Sequence, residues 1–258
     1  MNRWKLTVEY DGTDFVGWSR QPGQRTVQGS IEACIQQIFQ HEVTLAVSGR
    51  TDAGVHAFGQ VAAFSSPKNK DADRIRIGLN GLLPDDIAIV SVEPVGIDFE
   101  PRFWSRSKCY RYTWFERPSR SPLRRNTVWH VTEPLNVQEM HKAAQTLLGE
   151  HDFSSFRASG CQAQNAIRRI KEISVSRTDG TYVHLDVHGH GFLRHMVRIV
   201  AGTLYEVGRN KRDTLWVESV LKARDRTKAG RTAPARGLSL VEIQYGEGLP
   251  EWMQPQRP

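Results

Sequence analysis

The sequence predicts an α+β fold in two halves, each made of strands with helices that can cover one face. Three observations carry that expectation. Trp4, Leu6, Val8 and Tyr10 alternate with Lys5, Thr7 and Glu9, the period-two signature of a half-buried strand. Val27, Ile31, Cys34, Ile35, Ile38 and Phe39 recur instead at helical spacing, behind Thr26 as a cap. Two strand-like runs, 167–177 and 182–188, flank Asp179-Gly180, a strong signal for a two-residue hairpin turn.

The remaining elements follow in order. Asp11-Gly12 closes the first strand, and a loop through Gly17 and Gly23 leads to the first helix. Val43, Leu45 and Val47 alternate again, and residues 60–65 form a further strand, so the segment between them is a strand-to-strand connection. A helix over 72–82 ends at Pro84-Asp85-Asp86, and 87–92 is apolar enough for a buried strand. The stretch 94–101 breaks the pattern, which puts one domain at 1–104 and a second at 105–246, with a Pro-rich tail at 247–258. The second domain opens on a strand at 108–115 and a Pro-, Ser- and Arg-rich loop through Arg125. Next come a helix at 137–148 between Asn136 and Gly149, the hairpin, and a helix carrying Phe192, Met196, Ile199, Val200 and Leu204. A basic loop with Lys228, Arg231 and Arg236 leads to a last strand, 238–245, and no repeat is visible.

At 258 residues the chain can bury a substantial core without staples. Cys34, Cys109 and Cys161 are odd in number and lack C-x-x-C spacing, which points to reduced thiols. The amino terminus enters a strand pattern at once and no apolar run is long enough to cross a bilayer, so the expectation is a soluble, cytoplasmic protein. A net charge of +7 favours a polyanionic partner. Between Arg102 and Arg125 stand eight basic residues (Arg102, Arg106, Lys108, Arg111, Arg117, Arg120, Arg124, Arg125) against the single acid Glu116, with Trp104, Tyr110, Tyr112, Trp114 and Phe115 among them. That interleaving fits phosphate contact beside base stacking, and equally a solvated basic strand whose aromatics face the core.

Three constellations bear on chemistry. Tyr10-Asp11-Gly12-Thr13 is similar to the D-x-D-G-T string of aspartate-nucleophile phosphatases, but Glu9 stands at the attacking position in mid-strand, so the string reads as a turn. His184, Asp186, His188, His190 and His195 present imidazoles and a carboxylate at ligand-like intervals, yet H-x-D-x-H-x-H matches no established metal-site spacing, and a polar strand face explains it. The third is Ser48-Gly49-Arg50-Thr51-Asp52-Ala53-Gly54-Val55-His56-Ala57. Its glycines allow a tight turn that displays Asp52, and Arg50 nearby favours the ionised carboxylate, the form able to act as nucleophile or base. Residue chemistry alone gives no reaction for it.

Gly49 through Ala57 resembles the signature of the tRNA pseudouridine synthase A family. Tyr10-Asp11-Gly12 with Phe15, Gly17 and Trp18, Thr26-Val27-Gln28, Asp98-Phe99 with Arg102-Phe103, and Lys108 with Tyr110-Arg111-Tyr112 are similar to further family strings. So are 152–156, 192–198, and Thr232-Ala233-Pro234 with Gly237-Leu238. Pro101, Ala235 and Ser239 depart from the pattern.

The resemblance implies two similar α+β domains whose mostly antiparallel sheets join around a basic RNA-binding cleft with Asp52 at its floor. It implies isomerisation of uridine to pseudouridine at tRNA positions 38, 39 and 40 in the anticodon stem-loop, without cofactor or metal, by a homodimer across which tRNA lies. By the motif match Asp52 is the catalytic aspartate, either attacking the sugar or removing the C2′ proton. Arg50 holds that carboxylate and fills the gap left by the extruded base, Tyr110 stacks on the uracil, and Arg198 pairs with Asp52. Lys70, Arg102, Lys108 and Arg111, with Arg50 and Tyr110, are the substrate-binding set. Two rival readings of the same residues are a non-catalytic RNA chaperone using the basic aromatic strand, and a phosphohydrolase using Asp11 or the histidines.

Overall fold

The alternation of the first ten residues becomes strand β1 (Asn2–Tyr10), in the computed structural model that describes residues 1–246, with Trp4, Leu6, Val8 and Tyr10 all buried. Helix α1 (Val27–Phe39) follows, its first turn capped by the Thr26 hydroxyl accepting from Gly29 N–H at 3.3 Å. Strand β2 is only Ala46–Val47, whereas β3 runs His56–Ser66 and so begins inside the signature segment. Helix α2 (Ala72–Leu82) is capped by Asp71, strand β4 spans Ile87–Val95, and a four-residue helix α3 (Pro101–Trp104) starts on Pro101, where a missing N–H costs nothing. Pro94 sits within β4 instead of breaking it. Among the described residues β4 is an edge strand paired only to β1, and an edge tolerates a residue that cannot donate to the ladder.

Strand β5 (Ser105–Glu116) opens the second half, followed by β6 (Trp129–Val131), α4 (Val137–Gln145), β7 (Gly149–Asp152), the hairpin β8 (Ile167–Thr178) and β9 (Tyr182–Gly189), α5 (Met196–Gly208) and α6 (Thr214–Ala223). Asp179 and Gly180 both have positive φ (48° and 69°), which suits the twist of the strands they join. Phe192 lies ahead of α5, and α4 stops short of the expected end, leaving Leu148 exposed. A last strand, β10 (Leu238–Tyr245), completes the fold.

The chain forms two units. The first comprises Met1–Arg106 together with residues 240–246, and the second is Ser107–Ser239. The expected boundary after residue 104 is close to this division, but the assignment of the last strand to the second domain is corrected: from Leu240 on it belongs to the first. Its partner is set by a sheet edge far away in sequence, which local patterning does not encode. The expected tail at 247–258 lies outside the described residues.

In the first unit the strand order is β4-β1-β3-β10, with β2 beside β3. β1 is antiparallel to both β3 and β4, and Trp4, Phe39 and Phe64 form an aromatic cluster between sheet and α1. In the second unit the order is β5-β9-β8-β7, antiparallel throughout, with β6 parallel to β5. Tyr112 and Trp114 on β5 are wholly buried and Phe115 nearly so, as are Val183, Leu185 and Val187 on β9. The aromatics of that basic strand are therefore mainly core, as the second reading of the segment has it.

Candidate active site

Asp52 stands in the first unit on the loop between β2 and β3, half-buried, with Arg50 exposed two residues before it. The loop is irregular yet closely held. Trp18 N–H donates to the Thr51 carbonyl at 3.1 Å, Gly54 N–H to the Phe15 carbonyl at 3.3 Å, and Val55 N–H to the Asp52 carbonyl at 3.2 Å. Gly17 has φ +90°, and a Cβ there would lie 2.8 Å from the Thr51 carbonyl oxygen and 3.3 Å from the Asp52 carbonyl carbon. A Cβ on Gly12 would collide with the Val55 carbonyl. The two glycines near the start of the chain are thus where the aspartate loop lies directly on the backbone that follows β1.

Side chains add to the clamp. The Tyr10 and Thr51 hydroxyls are 2.7 Å apart, and Gln60 Nε2 donates to the Gly49 carbonyl at 2.8 Å. Burial pushes the Tyr10 phenol up to about 12, against smaller opposing effects of Thr51 and Gln60 beside it, so it stays neutral. Asp11 Oδ1 accepts from Thr13 N–H at 2.9 Å and from the Thr13 hydroxyl at 2.5 Å, which makes the Asp11-Gly12-Thr13 string a turn. Gly12 N–H donates to His56 Nδ1 at 3.0 Å, and that nitrogen also lies 3.0 Å from Asp11 Oδ1. Burial opposes ionisation of Asp11, but the Thr13 bonds and His56 together hold its carboxyl below the usual range.

The second unit carries Tyr110 and Arg198. Tyr110 is buried on β5 opposite Val187, its ring edge-on to Phe192 at 5.2 Å. Arg198, on the first turn of α5, is half-buried and donates from Nε to the Ala233 carbonyl at 2.8 Å, while Ala233 N–H returns a bond to the Arg198 carbonyl at 3.1 Å. The Thr232-Ala233-Pro234 string is held again by the Tyr112 hydroxyl donating to the Pro234 carbonyl at 2.9 Å. Burial raises the Tyr112 phenol well above its usual value despite Arg198, Arg236 and Arg231 nearby. Arg231 lies over the rings of Trp129 and Tyr205, at 4.8 and 5.2 Å, and a side chain on Gly202 would strike its carbonyl.

The expected substrate-binding residues have mixed settings. Lys70 is exposed before α2, its ammonium 5.7 Å from the Phe39 ring, and Arg102 is exposed on α3. Lys108 is buried on β5 opposite Gly189. Arg111 donates from Nε and Nη2 to the two Asp186 oxygens at 2.7 and 2.9 Å, a bidentate cross-strand pair. The same face engages His184, which bonds the Thr113 and Thr178 hydroxyls at 3.1 and 3.0 Å. Two members of the apparent histidine–aspartate cluster therefore have structural partners. Sequence reading passed over Tyr10 and Gln60 as supports of the loop. A polar residue heading the apolar run Val61–Phe64 was the available signal.

A family model described as tRNA pseudouridine synthase matches residues 6–103 and 143–246. Arg50, Lys70, Asp52, Arg102 and Arg198 fall inside the match, while Lys108, Tyr110 and Arg111 fall between its two parts. A tRNA pseudouridine synthase A of Myxococcus xanthus is 50% identical over 250 residues, covering 97% of this chain and 94% of that protein. Its counterpart in Geotalea uraniireducens is 47% identical over 245 residues, covering 95% and 100%, and that in Pelobacter propionicus is 46% identical over 241 residues, covering 93% and 98%.

Proposed function

Because the chain belongs to the tRNA pseudouridine synthase family, we propose that it converts uridine to pseudouridine at positions 38, 39 and 40 in the anticodon stem-loop of tRNA. The enzyme is an isomerase acting on tRNA. The N1–C1′ glycosidic bond breaks, the base turns while bound, and C5 joins C1′. N1 gains a proton and C5 loses one, so the change is atom-balanced and redox-neutral, and it calls for no cofactor or metal.

Asp52 takes the role of catalytic aspartate, either attacking C1′ or removing the C2′ proton. Arg50, exposed on the same loop, is assigned to hold that carboxylate and to fill the space of the extruded uridine, since a stacked base hides the atoms to be changed. Tyr110 is assigned to stack on the uracil, and Arg198 completes the catalytic set. Lys70, Arg102, Lys108 and Arg111 are assigned to tRNA contact, with the Arg111 guanidinium already oriented by Asp186. The active form is proposed to be a cytoplasmic homodimer bound across by one tRNA. Among the described residues no helix is long and apolar enough to cross a membrane.

The observation that carries the reading is the Asp52 loop, a carboxylate on irregular backbone held from both sides by glycine contacts and buried hydroxyls. Incubation with tRNA tritiated at uracil C5 tests it, because forming the carbon–carbon bond expels that hydrogen. Release by the wild type without added metal is expected, with product mapping to positions 38–40, and none from Asp52→Asn at unchanged tRNA affinity. Release by that variant would remove Asp52 from its role. Binding without release by the wild type would favour an RNA chaperone, and metal-dependent phosphate release a hydrolase. Light scattering checks the dimer, and a monomeric mass in active samples would exclude it.

A further inference from the structure

We propose that Gln60 and Tyr10 are positioning residues for Asp52: a buried amide and a buried phenol that hold the loop on either side of Arg50 and so aim it. The inference rests on the assignment of Asp52 above and extends it to residues that touch no substrate.

A catalytic carboxylate must be held to within a fraction of an ångström, and irregular backbone does not supply that by itself. The second half of the loop is held by main-chain bonds at Gly54 and Val55, and its start by Ser48 N–H donating to the Val61 carbonyl at 3.0 Å. Between them, two of the holds on Gly49 to Thr51 come from side chains. Gln60 Nε2 donates to the Gly49 carbonyl at 2.8 Å, and Tyr10 bonds the Thr51 hydroxyl at 2.7 Å. The Gln60 Oε1 accepts from Val61 N–H at 3.1 Å, which fixes the amide on its own strand. The amide therefore holds the residue before Arg50 and the phenol the residue after it.

Burial and register explain why these two residues can act this way. Gln60 is 0% exposed and Tyr10 3%. A buried amide is costly unless its donor and acceptor groups are met, and here they are met by the Gly49 carbonyl and the strand's own backbone. The ladder between β1 and β3 slips at this point: Val8 faces Gln60, but Tyr10 faces Ala57, so β3 carries one extra residue at Phe58–Gly59. Such a bulge re-aims side chains beside functional sites. The extra residue is accommodated where Gly59 closely approaches β10, a Cβ there lying 2.8 Å from the Val241 carbonyl.

The test is single-turnover tritium release at saturating enzyme, with tRNA affinity measured separately, for Gln60→Met, Tyr10→Phe and the double variant. Gln60→Met keeps the side chain's length and removes its donors. Expected is a fall of about 10- to 100-fold in the single-turnover rate at nearly constant affinity, a misplacement effect. The double variant should lose no more than the worse single one, because both act through the same loop. Leu6→Ala, a core truncation on β1 remote from the loop, serves as the control for stability. An unchanged rate in Gln60→Met, a loss confined to affinity, or an equal loss in folded Leu6→Ala would each overturn the proposal. Asp52→Asn in the same assay separates the two ideas: if it stays active the catalytic assignment fails, and if it is dead while Gln60→Met is fully active only the positioning role fails.

Discussion

At the scale of single residues, the loop's rigidity depends on groups that stay neutral in the core. Tyr10 is the measurable case. An unfolded tyrosine ionises near pH 10, whereas in the folded chain burial pushes Tyr10 up to about 12, so as pH rises the unfolded state releases its proton first. The stability Tyr10 contributes is whole below pH 10 and is lost as pH climbs through 12, roughly 2–3 kcal/mol in all at about 1.4 kcal/mol per unit. Urea unfolding of wild type and Tyr10→Phe between pH 8 and 11.5 should show the wild type losing stability more steeply. Parallel slopes would mean that the phenol does not feel the core in this way. Tyr112 and Tyr245 are raised too and contribute to both curves alike, so the difference between the two proteins isolates Tyr10.

At the scale of elements, the readable parts were those whose pattern is local. β1, α1, α2, the Asp179-Gly180 hairpin and β10 stand where alternation, caps and turn residues put them. The missed elements had their causes. β6 and β7 are three and four residues long, too short for a period, and α3 has one turn. α6, given no element in the sequence reading, was legible in principle: Asp213 precedes Leu215, Trp216, Val217, Val220 and Leu221. Its cap is a defined bond, Asp213 Oδ1 accepting from Trp216 N–H at 2.8 Å. Asp213→Ala should therefore cost about 1 kcal/mol, within the range for N-cap losses. Thermal or urea unfolding measures it, and no change would mean that α6 is held entirely by its buried face of Val217, Val220 and Leu221. Of the candidate site, the Asp52 loop was legible because glycines, arginine and aspartate are contiguous. Its supports were not, because Tyr10 and Gln60 meet through pairing of strands some fifty residues apart in sequence.

At the scale of the whole molecule, the chain does not divide at one point. The first unit recruits residues 240–246 after the second unit is complete, so the polypeptide leaves the Asp52-bearing half and returns to it. What it returns to is specific. Ile243 and Tyr245 cover the cluster of Val61, Ala63 and Phe99, and the Tyr245 hydroxyl donates to the Pro101 carbonyl at 2.8 Å. Val61 and Ala63 lie on β3, the strand that continues from the Asp52 loop and carries Gln60. Removing β10 therefore uncovers the strand that supports Asp52. A chain ending at Ser239 keeps Asp52, Arg50, Tyr110 and Arg198, yet loses the full burial of Leu240 and the partial burial of Ile243 and Tyr245, about 4 kcal/mol where a fully buried side chain contributes 1.5–3 kcal/mol. For a protein of this size that is a drop of roughly 8–16 °C in the midpoint of the first unit's thermal transition, relative to a chain ending at Gly246. Tritium release should fall with it, although every residue assigned to the chemistry is present. If the chain ending at Ser239 melts with the longer one and retains its activity, β10 is dispensable and the first unit is complete by residue 106.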